Sequence, residues 1–74
     1  MYLIVFSSRA AALRVKARLD ASGIFAQAVS TPIGLGKSCG ISLKVWGAPP
    51  AVLARMCEGA PIYLKSGSAW MLAT

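Results

Sequence analysis

Two cysteines, Cys39 and Cys57, are the only thiols in the chain, and they sit in contrasting contexts. Cys39 lies in Lys37-Ser38-Cys39-Gly40, at the end of a glycine-rich loop and the entrance to a strand. Thiolate is the reactive form of cysteine, and a nearby ammonium or free backbone amides lower the thiol pKa. Lys37 is placed to supply the first, and the amides around Ser38 and Gly40 the second, as a small anion-binding group. Gly40 also allows a partner to approach closely. Free cysteine is equally at home as a small apolar filler, so position alone leaves Cys39 open between reactive thiol and filler. Cys57, beside Val52, Leu53 and Met56, reads as core.

Other chemistries fall away. The sequence has no histidine, which removes imidazole acid–base and metal chemistry. Its two carboxylates, Asp20 and Glu58, each lie at the end of an expected helix, so a paired-carboxylate mechanism is not expected. No CxxC is present, and no metal or cofactor is expected. Gly34-Leu35-Gly36-Lys37-Ser38 imitates a phosphate loop. The required upstream glycine is replaced by Thr31, however, and a strand follows where a helix should begin.

These side chains need elements to hold them. Residues 2–6, Tyr-Leu-Ile-Val-Phe, are apolar on both faces and predict a central strand. Ser7 or Ser8 provides an N-cap for a helix over Arg9–Ser22, and Gly23 closes it. Ala11, Ala12, Val15 and Leu19 form the stripe expected to face a sheet. Ala10, Leu13, Ala17 and Ala21 form a second stripe of small residues.

Residues 24–29 predict a second strand, followed by a loop from Ser30 to Gly40. In residues 41–46, Ile41, Leu43 and Val45 alternate with Ser42, Lys44 and Trp46, as in a half-buried strand. Pro49 and Pro50 open a short helix through Cys57, and Gly59 and Pro61 end it. Ile62-Tyr63-Leu64 predicts a strand. Lys65 to Ser68 can turn into Ala69–Leu72, so either segment can be the last core strand, or the two can pair as a hairpin. The expected fold is α+β, a ferredoxin-like β-α-β-β-α-β sandwich with an antiparallel sheet and two helices on one face. Residues 1–74 are expected to form one domain, with an extra C-terminal strand as an option.

The net charge is +6, and 57% of residues are hydrophobic. The charge favours anionic partners, whether nucleic acid, an acidic protein or an anionic substrate, and fits equally well a solvated surface that keeps an apolar chain soluble; no strand shows alternating aromatics of the kind that stack bases. Trp46 and Trp70 are the candidates for exposed aromatics, and Trp70 reads equally well as core. The hydropathy and the small-residue stripe lead to the expectation of a homodimer or other homo-oligomer. The longest uncharged stretch, residues 21–36, is interrupted by polar residues, glycine and proline, so no membrane span or signal peptide is expected. A reducing, cytoplasmic setting follows as an expectation.

The ordered combination of Tyr2–Ser8, Ala12-Leu13, Gly23-Ile24, Thr31-Pro32 and Ser38-Cys39-Gly40 resembles a family of small bacterial selenium/sulfur carrier-like proteins. The resemblance covers roughly residues 2–46. It implies that Cys39 accepts sulfur or selenium as a persulfide or selenosulfide, with a donor protein and an acceptor protein as partners, and that Lys37 favours the thiolate. The basic, alanine-rich helix, the glycine-rich loop and the 67–74 tail depart from the family pattern. The alternative reading is a non-catalytic basic module that binds RNA or an acidic protein, or an oligomeric regulatory subunit.

Overall fold

The computed structural model describes residues 1–32, 35, 40–67 and 69–73. The chain runs β1 (Tyr2–Val5), α1 (Arg9–Ala21), β2 (Phe25–Ser30), β3 (Ile41–Trp46), α2 (Pro50–Met56), β4 (Ile62–Ser66) and β5 (Ala69–Leu72). The strands form one five-stranded antiparallel sheet in the order β2-β3-β1-β4-β5. The first four have the ferredoxin-like order, and β5 extends the β4 edge. The fold is therefore α+β, as the sequence led us to expect. The uniformly apolar strand is the central one, between β3 and β4.

The alternation within strands sorts the residues by face. Ile4, Phe6, Leu43, Val45, Ala26 and Ile62 form one buried cluster with Ala12, Val15 and Leu19 of α1 and Leu53 of α2. Both helices thus cover the same sheet face. The second stripe of α1, from Ala10 through Leu13 and Ala17 to Ala21, is exposed along its length.

Local chemistry fixes the ends of α1. The Ser8 hydroxyl accepts from the Ala11 N–H at 3.4 Å. At the other end Gly23 adopts φ +75°, donating its N–H to the Asp20 carbonyl while the Ile24 N–H reaches the Leu19 carbonyl. This paired arrangement is the Schellman closure, which needs the left-handed backbone that glycine adopts without strain. Proline at the start of α2 requires no capped N–H, and Pro49 offers no side-chain cap.

The C-terminal alternatives resolve into a hairpin. β4 is the core strand and runs on through Lys65 and Ser66, pairing with β5 from Tyr63↔Leu72 to Ser66↔Ala69. The connection is two residues long and begins at Gly67 with φ +60°, as a primed hairpin turn requires.

Candidate functional site

Three connections converge at one end of the sheet. Pairing of Val5 with Ser42 and of Ile4 with Ile62 brings the β1–α1 turn, the start of β3 and the start of β4 together. The Val5 N–H donates to the Pro61 carbonyl at 3.1 Å, tying β1 to the segment after α2. The loop between β2 and β3, which bears the candidate thiol, opens from this same end. Its base is clamped twice. The Thr31 N–H donates to the Gly40 carbonyl at 3.1 Å, and the Thr31 and Ser42 hydroxyls share a 2.6 Å hydrogen bond.

Ser42 is fully buried. This corrects the expectation of a solvent-facing serine in an alternating strand. The Thr31 hydroxyl satisfies this buried polar group.

Of the four site residues singled out from the sequence, Gly40 is described. It is exposed, with φ +89°. Cys39, Lys37 and Ser38 lie outside the described residues. Nothing stands within 4 Å of where a Gly40 Cβ would be, so it is backbone conformation and not space that requires glycine there.

A half-open pocket of about 210 Å³ lies at the same end, with Phe6, Ser7, Ala11, Leu35, Cys57 and Glu58 in its wall. Leu35 comes from the β2–β3 loop, so the pocket and the loop are neighbours. Cys57 is 2% exposed, and its Sγ donates to the Ala60 carbonyl at 3.4 Å. Burial pushes its pKa up, which keeps the thiol protonated and a poor nucleophile. The core reading of Cys57 therefore holds, and the structure adds that this residue forms part of a pocket wall.

Glu58 sits at the pocket rim in the left-handed region, with φ 56°. It accepts from Arg14 at 2.8 Å and pairs with Arg18 at 3.2 Å. The Arg14 hydrogen bond, with the charges of Arg14 and Arg18 adding to it, holds the Glu58 carboxyl below its ordinary value. It is consequently an anion at neutral pH, already occupied by two guanidinium groups. Among the described residues no three potential ligand side chains gather in a metal-binding group.

Two features escaped the linear reading. The pocket is assembled from the turn after β1, the β2–β3 loop and the turn after α2, and no contiguous motif marks it. The Thr31–Ser42 clamp joins residues eleven positions apart, and a buried serine in an apolar strand was its one available signal.

Among the described residues no helix is long and apolar enough to cross a membrane. No curated protein and no solved structure gives a match. A family model described as "Putative Se/S carrier protein-like" does match, over residues 1–66. This takes in β4 and extends the resemblance well past residue 46. On that match, which covers the clamped loop and the pocket, the chain belongs to the Se/S carrier-like family.

Proposed function

We propose that this protein carries sulfur or selenium on Cys39 between a donor protein and an acceptor. The family match over residues 1–66 carries the reading, because it spans the Cys39 loop. The state of Cys57 supports it, since the second thiol is buried and protonated.

In the loading step the Cys39 thiolate attacks the terminal sulfur of a donor cysteine persulfide. A Cys39–sulfur bond forms, the donor S–S bond breaks, and the donor leaves as thiolate. In unloading, an acceptor thiolate attacks the same atom and Cys39 leaves as thiolate. The two steps are mirror images, so no external oxidant or reductant is consumed. Selenium follows the same path as a selenosulfide. Lys37 favours the thiolate, and the amides of Ser38 and Gly40 stabilise the anionic cargo. The proposed setting is a reducing, cytoplasmic compartment, with residues 1–74 acting as one carrier domain.

The test is intact-mass analysis after exposure to a small-molecule persulfide. Wild type and Cys57→Ser gain one sulfur atom, and Cys39→Ser gains none. Loading that persists in Cys39→Ser overturns the proposal. So does a Cys39 alkylation profile whose midpoint equals that of an unperturbed thiol.

A further inference from the structure

We propose that the helix-free face of the sheet is a platform for single-stranded nucleic acid. The strand register places Phe25 opposite Trp46, Leu3 opposite Tyr63, and Lys65 opposite Trp70. The row Gln27–Lys44–Leu3–Tyr63–Leu72 runs between them across all five strands. Phe25, Trp46, Tyr63 and Trp70 therefore lie on one face, one from each of four strands. Phe25 is 64% exposed and Trp46 36%. Their ring centroids are 5.2 Å apart, at a 39° tilt. The Lys65 ammonium lies 5.8 Å from the centre of the Trp70 ring. Leu3, between Lys44 and Tyr63 in register, and Val5, opposite Ser42, are buried on the same face.

Charge selects the occupant. The sequence contains just two acidic side chains, Asp20 and Glu58. Both lie on the helix side, engaged with Lys16 and with Arg14 and Arg18. The open face thus presents Lys44 and Lys65 with no acidic side chain beside them. A second copy docked face to face would bring lysines together without an anion between them, which opposes self-association. An acidic peptide satisfies the lysines but leaves the ring faces unused. A single strand of nucleic acid supplies both phosphates for the ammonium groups and flat bases for the rings. The aromatic set escapes a reading along any one strand because it runs across the sheet.

The only two tryptophans in the chain are both on this face, so intrinsic fluorescence reports stacking directly. The experiment titrates the full chain with single-stranded RNA or DNA of about ten nucleotides, and with the corresponding duplex, at two salt concentrations. Saturable quenching by a single strand, weaker quenching by duplex, and affinity that falls as salt rises are expected. Phe25→Ala weakens binding about tenfold, within the range for loss of one base stack. The double variant Lys44→Glu/Lys65→Glu weakens it further and flattens the salt dependence, whereas Arg9→Gln/Arg55→Gln on the helix side leaves it unchanged.

Circular dichroism checks that each variant is folded; if the charge-reversal variant is not, Phe25→Ala decides the matter alone. Absence of quenching overturns the proposal, as does equal loss in the helix-side variant. A dimer in light scattering that Phe25→Ala dissociates, without quenching by any oligonucleotide, assigns the face to a second copy and overturns it too. The proposal is independent of Cys39, and Cys39→Ser should bind as wild type does.

Discussion

On one side of the sheet, Ile4, Leu43, Val45 and Ile62 are sealed beneath two helices, and every ion pair seen among the described residues lies on this side, within α1 or between α1 and the turn after α2. On the other side, Leu3 and Val5 are just as buried with no helix above them. Their cross-strand neighbours on this face are Lys44 and Ser42 of β3 and Tyr63 of β4. The first arrangement is a packed interior. The second is a surface that carries Phe25 and Trp46 as exposed aromatic side chains on the same face as buried Leu3 and Val5. The same alternation that builds the core therefore also produces the exposed platform.

Leucine truncation tests this contrast most strongly. Leu53→Ala beneath α2 should cost about 2–5 kcal/mol, read as a lower denaturant midpoint at unchanged slope. Leu3→Ala removes an equally buried side chain, but flexible neighbours can settle into the space, so its cost should lie near 2 kcal/mol. Equal costs would erase the distinction between the faces.

The clamp comes next in size. Ser42→Ala leaves the Thr31 hydroxyl without its partner and should destabilise by about 1–3 kcal/mol. Adding Thr31→Val should restore part of that loss, giving a non-additive double-mutant cycle. Strict additivity would mean that the 2.6 Å contact contributes nothing. Phe25→Ala should cost only about 0.5–1.5 kcal/mol, the scale of one aromatic pair, in contrast to its proposed effect on binding.

The smallest effect belongs to Glu58. Its carboxyl is held below its ordinary value in the folded chain, so the unfolded chain protonates first as pH falls. The ion pair therefore stabilises above the unfolded value, and that contribution disappears as pH drops through the lowered folded one. Glu58→Gln should flatten this acid limb in thermal unfolding followed against pH. An unchanged limb would show that the helix-side ion pairs do not contribute to it.

Much of this was legible in the residues themselves. Five successive apolar residues identified the central strand, Gly23 identified the helix stop, and the alternation of residues 41–46 assigned β3 to its faces. Lys65 and Ser66 resembled turn residues, yet they extend β4, because strand pairing and the Gly67 turn outweigh their weak local preference. Trp70 read equally well as core until its pairing with Lys65 placed it on the open face. Cys-Gly at the end of a loop drew attention to Cys39, which itself lies outside the described residues. The pocket beside that loop was not legible, because three separate connections supply its wall.

The position of β1 also has a temporal consequence. Its partners begin at Ile41 and Ile62, so during synthesis Tyr2–Val5 is made well before either. Two long loops must close before this strand is paired on both sides, which raises the entropic barrier to folding. Until then the most apolar segment of the chain is uncovered, the kind of interval in which chaperones capture nascent proteins. The strand that becomes the most protected in the finished sheet is therefore the one exposed for the longest time while the protein is being made.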